Sequence, residues 1–402
     1  MRVLLFSAVV IVAAGHASAQ DAWTLTTADF RSSPVALKSM DSAGVRVTDA
    51  TQQADRVVPM DDFLQLERPA QASGAPPGRF VLHLAGGDQV GGEPVAIAGE
   101  QLVWNSAAAG EVRVPMSRAV GITKPGQQPP DRRPAEDVVT LSNGDAVRGI
   151  IAGIEGGKIS VQRADSAEPT PVPVDSVASV QFAATAGAGG GAGAGAGAGG
   201  AAARGFRLRL ADGSSLLAAA LSLADGKLSA DLGDGKPRPL DLARVVAVEQ
   251  VNGPASWLSG RAPSESVYVP YFGQGQDFPA RMNQAVDGSR DLRFGGKAFR
   301  RAIGVHAYSR LTFPLDGQYA AFRTQYAVDE RLGRADVTVR VKLDGKVVHE
   351  KQNVRAGTLS PVVVVDLGKA KALTLEVDYG AGTDVQDRLV WLEPALLKKK
   401  PS

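Results

Sequence analysis

The sequence has no cysteine, four histidines among 402 residues, and few aromatic residues, at 5% of the chain. The lack of cysteine excludes disulfides, thiol catalysis, iron–sulfur clusters and cysteine-ligated zinc. So few histidines leave little for histidine-rich metal sites. The formal net charge of +2 argues against nucleic acid as the main partner, because nucleic-acid-binding proteins carry a strong basic patch. These absences favour a binding protein over an enzyme.

Residues 1–19 have the layout of a secretory signal peptide. Arg2 supplies the positive start, an apolar run follows from Val3 to Ala14, and Ala17-Ser18-Ala19 forms a small-residue cleavage site. The apolar run is shorter than the ~20 residues that a membrane span needs. We therefore expect cleavage after Ala19 and a secreted or periplasmic bacterial protein with no stable membrane span. An uncleaved N-terminal anchor is the alternative.

The middle of the chain repeats one pattern of short strands and turns. Alternating apolar residues predict half-buried strands, and Asn143-Gly144 and Asp212-Gly213 predict tight hairpins, since such turns need positive φ. Each unit closes on a proline, at Pro59, Pro115, Pro173 and Pro239. The predicted repeats are residues 20–68 (a degenerate copy), 79–123, 137–182 and 204–252, with an Ala/Gly linker at 183–203.

Units of this size are small for a core of their own, so we expect neighbouring repeats to pack together. In strand order and turns they resemble Sm-like small β-barrels. That resemblance implies nucleic-acid or peptide binding, but the repeats lack clusters of basic and exposed aromatic residues. A spacer or scaffold is therefore the favoured interpretation of this region.

The composition changes from Arg261 onward, where all six tyrosines lie. Short alternating segments follow one another, and Asp344-Gly345 predicts a hairpin turn between two of them. Several short strands with regular turns and no helical period indicate an antiparallel β-sandwich over residues 257–397. The predicted fold class is all-β, with tandem small β-barrel-like repeats followed by this sandwich.

An ordered set of motifs in the last third carries a family resemblance. The motifs are LRFGGKAF from Leu292, IGVHAYS from Ile303, Ala327-Val328-Asp329, LDGK from Leu343, LTLEV from Leu373 and DVQDRLVW from Asp384. Together they resemble the NPCBM family of carbohydrate-binding modules, which implies a discoidin-like or jelly-roll sandwich over about 260–397. Where that family commonly has Asp-His-Ala-Asp-Trp, this chain has Asp387-Arg388-Leu389-Val390-Trp391, without the histidine and the second aspartate.

Sugars are bound by aromatic rings that stack on their C–H faces and by polar side chains that hydrogen-bond their hydroxyls. Alternatives stay open for several candidates: a packed strand histidine, a core tryptophan, and aspartates that cap turns, form ion pairs or bind calcium through oxygen. Tyr271 and Phe272 are either rim aromatics or core residues. The candidate ligand-binding residues are His306, Tyr308, Arg310, Asp329, Asp387, Arg388 and Trp391.

Catalytic motifs are missing from the sequence. There is no Gly-x-Ser-x-Gly, no phosphate-binding glycine loop with Lys and Ser/Thr, and no recognisable pair of catalytic carboxylates. We predict an exported non-catalytic protein that displays a glycan-recognising sandwich on a repeat stalk and needs no cofactor beyond an optional structural calcium. The alternatives are a structural or protein-interaction module of the bacterial envelope, and an accessory subunit of a separate glycoside hydrolase. The expected partner is a glycan or polysaccharide.

Overall fold

The computed structural model describes residues 22–68, 78–85, 87–127, 133–184, 204–233, 235–273, 277–290 and 292–399. Within these residues the regular elements are β-strands and short 3₁₀ turns, which confirms the all-β prediction. In the same residues no helix is long and apolar enough to cross a membrane. The predicted signal peptide and residues 185–203 of the predicted linker lie outside the described part of the chain.

Five or six strands form in each stretch that the sequence marks as a repeat. The first has β1 (Ala22–Thr27), β2 (Ser32–Met40), β3 (Gly44–Asp49), β4 (Asp55–Pro59) and β5 (Phe63–Glu67). The second has β6 (Phe80–Leu84), β7 (Gln89–Ala98), β8 (Gln101–Ser106), β9 (Gly110–Pro115) and β10 (Ala119–Thr123). The third has β11 (Asp137–Leu141), β12 (Ala146–Glu155), β13 (Lys158–Gln162), β14 (Thr170–Pro173) and β15 (Val177–Gln181). The fourth has β16 (Gly205–Leu210), β17 (Ser215–Ala218), β18 (Ala220–Ala224), β19 (Lys227–Asp231), β20 (Pro237–Leu240) and β21 (Val245–Val251).

The closing prolines all lie in strands at a sheet edge. Pro59, Pro115 and Pro173 end β4, β9 and β14, while Pro239 lies within β20, and each of these strands has a single partner in its sheet. Proline has no N–H to donate, so an edge position removes no ladder bond. A 3₁₀ turn follows three of these strands and leads into the last strand of its repeat, at Met116–Arg118, Val174–Ser176 and Leu242–Arg244.

The repeats pair in an order that differs from their order in the chain. The first and fourth share an eleven-stranded sheet, because β21 pairs with β5, with Val248 opposite Leu66. The second and third share a ten-stranded sheet, because β10 pairs with β15, with Ile122 opposite Val180. Pairing the closing strands in this way satisfies backbone groups that a lone five-stranded unit would leave open at its edges.

One hydrophobic core runs through all of the repeats. It includes Leu25 from the first, Phe80 and Trp104 from the second, Ile159 from the third and Leu208 from the fourth, and none of these side chains is more than 1% exposed. The repeats therefore stabilise one another as a single packed body, which we call the repeat body. Units of about 45 residues bury too little surface alone for independent stability, which is the physical reason for the shared core.

An antiparallel β-sandwich follows the repeat body. Its six-stranded sheet contains β22 (Ala255–Trp257), β24 (Arg281–Met282), β27 (Ala302–His306), β29 (Tyr319–Ala327), β32 (Val363–Asp366) and β34 (Arg388–Lys398). Its five-stranded sheet has the order β23 (Glu265–Tyr268), β28 (Ser309–Pro314), β33 (Ala372–Tyr379), β30 (Asp336–Leu343) and β31 (Lys346–Arg355). A short hairpin is added by β25 (Leu292–Phe294) and β26 (Lys297–Phe299), and a 3₁₀ turn lies at Leu258–Gly260. Alternate residues of the two sheets, such as Phe313, Phe322 and Val339, meet in a separate core.

The outer face of the six-stranded sheet packs on the repeat body. Trp257 meets Phe30 edge to face at 6.0 Å, and the guanidinium of Arg323 lies 4.0 Å from the centroid of the Phe30 ring. Arg301 lies 4.9 Å from the centroid of the Trp257 ring and forms an ion pair with Glu249 of the fourth repeat. This junction holds the sandwich against the repeat body through aromatic, cation–π and ionic contacts.

Candidate functional site

Loops from both sheets meet at one end of the sandwich. The chain leaving β23 pairs with the start of β28, where Val269 and Tyr308 exchange two backbone hydrogen bonds of 3.0 and 3.2 Å. The Tyr379 hydroxyl, at the end of β33, also donates to the carbonyl of Val269. The backbone N–H of Tyr271 donates to the Asp384 carboxylate at 3.0 Å, which ties this loop to the segment that precedes β34.

These loops display a group of aromatic rings that we call the aromatic patch: Tyr271, Phe272, Tyr308 and Tyr379. Tyr271 lies edge to face with both Phe272 and Tyr379, at centroid distances of 5.1 and 5.0 Å. Phe272 is 74% exposed and Tyr271 is 48% exposed. Because exposing a large apolar ring to water is unfavourable, clustered exposed rings indicate a surface that binds something.

Polar groups border the aromatic patch. The Tyr308 hydroxyl donates to the buried Glu376 carboxylate at 3.1 Å. Burial raises the pKa of the Tyr308 and Tyr379 hydroxyls, so both phenols stay neutral near pH 7. The Asp384 carboxylate accepts a hydrogen bond from the backbone N–H of Tyr271. The patch thus combines apolar ring faces with hydroxyl and carboxylate groups, the mixture that sugar recognition needs.

A second group of rings lies where β23 ends and β24 is about to begin. His306, at the end of β27, stacks on Phe278 with centroids 4.5 Å apart and an angle of 10° between the planes. Tyr268 meets His306 edge on at 6.0 Å, and the Arg388 guanidinium lies 5.7 Å from the centroid of the Phe278 ring. Burial lowers the pKa of His306, and its Nδ1 lies 2.8 Å from the carbonyl oxygen of Ala307. His306 is therefore a neutral, packed ring near pH 7 that lies between Tyr268 and Phe278.

Comparison with known families finds a match for the C-terminal third of the chain. Residues 256–397 match the model of the NPCBM/NEW2 domain. The match covers the whole sandwich and confirms the resemblance inferred from the sequence. Among curated proteins, none matches the chain.

Solved structures similar to the chain include several carbohydrate-binding modules. One is the CBM51 of Clostridium perfringens GH95 in complex with methyl-galactose, at 22% identity and a TM-score of 0.31, covering 35% of this chain and 99% of that one. Another is the tandem CBM51 modules of the family 98 glycoside hydrolase of Streptococcus pneumoniae SP3-BS71, at 12% identity and a TM-score of 0.32, covering 94% and 88%. A third is CsCBM6-3 of Clostridium stercorarium in complex with cellobiose, at 12% identity and a TM-score of 0.21, covering 36% and 93%.

The predicted site residues of the NPCBM domain do not form one cluster. Tyr308 belongs to the aromatic patch, and His306 and Arg388 lie next to each other in the second group of rings, opposite one another on β27 and β34. Arg310 lies on the outer face of the five-stranded sheet, opposite the Glu376 that binds the Tyr308 hydroxyl, and its guanidinium donates to Glu265 at 2.7 Å. Asp329 is bound by the Arg331 guanidinium, which lowers the pKa of its carboxyl.

Trp391, for which the sequence leaves ligand binding and core packing as alternatives, lies in the core of the NPCBM domain. Its ring is fully buried in the sandwich core and lies edge to face with Tyr326 at 5.9 Å. No face of the ring is open to a sugar. Alternation along β34 explains this position, because Leu389 and Trp391 point into the sandwich core while Val390 and Leu392 point to the other face of the sheet.

Asp387 is also buried and faces another carboxylate rather than the surface. One oxygen accepts a hydrogen bond from the backbone N–H of Asp336 at 2.9 Å, and the other has no partner among the described residues. Asp336 likewise has one carboxylate oxygen without a partner among these residues. Burial, with repulsion from Asp336, raises the pKa of Asp387 to about 7. Gly380 packs directly against the backbone of Asp336, because a Cβ there would lie 1.9 Å from the Asp336 carbonyl oxygen.

Calcium fits this pair incompletely. Calcium takes six to eight oxygen ligands. Within the described residues, no group of three histidine, aspartate or glutamate side chains is placed to hold a metal ion. Asp336 and Asp387 would supply two carboxylates and would need further oxygen ligands.

Sequence reasoning missed four residues that shape the site: Tyr268, Phe278, Tyr379 and Asp384. Tyr379 ends a strand whose alternation is visible in the sequence, but the loop that covers it comes from more than a hundred residues earlier. The enrichment of tyrosine in this third of the chain was the available signal. The sequence had no signal for which rings face outward, because the loop segments have no alternating pattern.

Proposed function

We propose that this protein is exported and binds a glycan through the aromatic patch of its NPCBM domain, without catalysing a reaction on it. The supporting observation is the exposure of Phe272 and Tyr271 on the loops of a domain that matches this family. The C–H face of a sugar ring stacks on exposed aromatic rings such as these. The neighbouring hydroxyl and carboxylate groups of the protein form hydrogen bonds with the sugar hydroxyls. The first repeat covers the outer face of the six-stranded sheet of the NPCBM domain. The loop end of the domain is therefore the more accessible surface.

The test uses the full chain and a glycan array, followed by calorimetry with the best glycan. Removing the stacking rings in Phe272→Ala and Tyr271→Ala should weaken binding at least tenfold, which corresponds to about 1.4 kcal/mol. Val364→Ala is the matched control, since Val364 is 63% exposed on the edge strand β32 away from the patch. Binding that survives both patch substitutions, or no binding to any glycan, would refute the proposal.

The cellular context belongs to the same proposal. According to this proposal, the signal peptide directs export to the periplasm or to the outside of the cell, and the repeat body carries the NPCBM domain. Secretion should be abolished when Val9 and Val10 in the apolar run are replaced by aspartate, which fractionation of cells would show. An envelope protein or a separate glycoside hydrolase would be the natural companion of a glycan-binding chain.

For the buried pair of Asp336 and Asp387, we propose that Asp387 carries a proton near neutral pH and that no calcium ion is bound there. The raised pKa of Asp387 and the unpartnered oxygen on each carboxyl support a protonated Asp387 near neutral pH. Calcium is the alternative. A rise in melting temperature on adding millimolar Ca²⁺ at pH 7.5, absent with Mg²⁺, would decide for calcium.

A further inference from the structure

Two tyrosines of the aromatic patch use their hydroxyl hydrogens within the protein. The Tyr308 hydroxyl donates to the Glu376 carboxylate at 3.1 Å, and the Tyr379 hydroxyl donates to the carbonyl oxygen of Val269. A phenol has one hydrogen to donate, but its oxygen keeps lone pairs that accept. Toward a ligand, these two hydroxyls are therefore hydrogen-bond acceptors.

Two aspartates beside the patch add further acceptors. Asp384 accepts from the backbone N–H of Tyr271 at 3.0 Å, and Asp277 is exposed. Burial, together with the charges of Asp384 and Asp277, raises the pKa of the Tyr268 hydroxyl, so both carboxylates lie close to the rings. Among the described residues, neither aspartate forms an ion pair with a lysine or an arginine. An ionised carboxylate accepts hydrogen bonds and donates none.

The ion-pair network next to Tyr308 also has more acidic than basic groups. Glu376 and Asp378 both pair with Arg340, at 3.0 and 2.8 Å. Lys342 pairs with Glu376 at 2.5 Å. Glu350 is a third carboxylate on Arg340, at 2.8 Å. The basic groups of this network are therefore fully used by its own carboxylates, and none is left for an anionic ligand.

Arg388 is the basic side chain that opposes this negative charge. Its guanidinium lies 5.7 Å from the centroid of the Phe278 ring, in the second group of rings. Burial lowers the pKa of His306, and on that ring the charges of Arg388 and Asp384 act with opposite signs. One guanidinium offsets one of the two aspartates that lack a basic partner, so negative charge remains in excess at the patch.

We propose that the aromatic patch selects a glycan whose sugars carry free, protonated amino groups and discriminates against acidic glycans. This ligand class rests on the proposed glycan-binding function and is assigned to the same site. The C–H face of the sugar stacks on Phe272 and Tyr271. The ammonium group has three donors and no acceptor, which matches the carboxylates of Asp277 and Asp384, and it is also attracted to the faces of the rings. A uronic acid or a sulfated sugar would bring an anion to a set of acceptors.

The binding test uses the full chain and calorimetry at pH 5.5, where the sugar amine is protonated. The probes are a β-1,4-linked glucosamine hexamer, its fully N-acetylated form, and an oligouronate of the same length. The glucosamine hexamer should bind about fivefold more tightly than the acetylated hexamer, as two exposed ion pairs would provide. The oligouronate should bind more weakly than either.

The outcomes of this test separate the ligand class from the proposed function. Equal affinity for the two hexamers, or tighter binding of the oligouronate, would overturn the selectivity and leave glycan binding in place. Failure of the glucosamine hexamer to bind a chain that binds another glycan of the array would do the same. A chain that binds no glycan of any charge would overturn both proposals.

Substitutions that remove charge alone distinguish the carboxylates from the rings. Asp384→Asn keeps an oxygen that accepts from the N–H of Tyr271, and Asp277→Asn changes an exposed side chain. The double variant should bind the glucosamine hexamer about fivefold more weakly and the acetylated hexamer within about a factor of two. Asp316→Asn is the matched control, because it removes the same charge beyond the opposite end of β28. Equal loss for both hexamers, or no loss for either, would overturn the assignment of these carboxylates.

A basic peptide is the competing ligand for rings bordered by carboxylates. Hexalysine with capped ends has six ammonium groups but no sugar ring to stack, so it should bind about tenfold more weakly than the glucosamine hexamer. Raising NaCl from about 0.05 to about 0.5 M should weaken binding of the glucosamine hexamer and leave the acetylated hexamer unchanged, because salt screens exposed charges. Hexalysine that binds as tightly as the glucosamine hexamer would assign the patch to a basic peptide and overturn the proposal.

Discussion

His306 and Phe278 lie face to face, 4.5 Å apart and within 10° of parallel, so the end of strand β27 packs on the segment that precedes β24. Strand β27 is rigid because both of its neighbours, β24 and β34, hold it in the six-stranded sheet. Beyond Val269, the 269–273 loop is positioned by the hydrogen bond from the N–H of Tyr271 to Asp384 and by the edge-to-face contact of Tyr271 with Tyr379. The order of the aromatic patch therefore depends on residues more than a hundred positions later in the chain.

Replacing Phe278 with alanine should raise the pKa of His306 toward its ordinary value near 6.5. Burial is the main cause of the lowered pKa, and removing the stacked ring admits water to the imidazole. Titration of the histidine C–H resonances by NMR measures the change. Phe294→Ala, in the separate β25–β26 hairpin, should leave this pKa unchanged. An unaltered pKa in Phe278→Ala would show that other residues shield His306.

The same histidine makes a pH-dependent contribution to stability. Its folded pKa lies below the unfolded value, so its contribution is fully present above pH 6.5 and is lost as the pH falls through the folded pKa. His306→Gln should flatten the free energy of unfolding over this acidic range. Denaturant titrations at pH 5 and pH 7.5 measure the difference, and an unchanged slope with pH would contradict it.

Asp387→Asn should stabilise the protein at pH 8 by about 2 kcal/mol. The folded pKa of Asp387 is raised to about 7, so its contribution is present below pH 4 and is lost as the pH rises toward 7. An amide stays neutral at all pH values and retains an oxygen that accepts from the N–H of Asp336. Asp165→Asn is the control, because that carboxylate is 67% exposed. A loss of stability at pH 8 that Ca²⁺ accentuates would contradict a protonated pair.

Arg301→Ala should lower the free energy of unfolding by about 1–3 kcal/mol. The substitution leaves Glu249 without its partner in a poorly exposed junction and removes the cation above Trp257. Denaturation followed by tryptophan fluorescence reports the change. Arg31→Ala should have almost no effect, since its ion pair with Asp29 lies on the surface with the arginine 88% exposed. Equal effects of the two substitutions would show that the junction contributes no stability.

Trp391→Phe should weaken the fold by about 1–2 kcal/mol and leave glycan affinity within a factor of two. The smaller ring leaves a gap beside Tyr326 in the sandwich core, and no part of Trp391 reaches the surface. Calorimetric unfolding and glycan titration of the same variant measure the two effects separately. A large loss of affinity with little loss of stability would restore Trp391 as a binding residue.

Local features of the fold were predictable from the sequence. Gly144 and Gly213 adopt φ of +93° and +87°, as the Asn-Gly and Asp-Gly turns require. Alternation along the Val138 and Phe206 segments predicted the strands β11 and β16, since an alternating pattern records which face a strand buries.

The candidate site was predictable only in part. Tyr308, Tyr271 and Phe272 were candidates for the rim of the site. Trp391, for which a core role was left open, and Asp387, for which turn and ion-pair roles were left open, both lie inside. An aromatic or acidic residue near a strand end has the same sequence context whether its side chain points into the core or away from it. The direction depends on register, which the neighbouring strands determine.

The sequence by itself determined the all-β class, the turn positions, the edge prolines and the NPCBM motifs, because each of these depends on a few adjacent residues. Only the tertiary structure decided that β21 pairs with β5 and that the 269–273 loop lies on Tyr379. Those contacts join residues more than a hundred positions apart. They arise because edge strands and apolar faces must be covered by whichever segment fits them, and no local pattern specifies that segment.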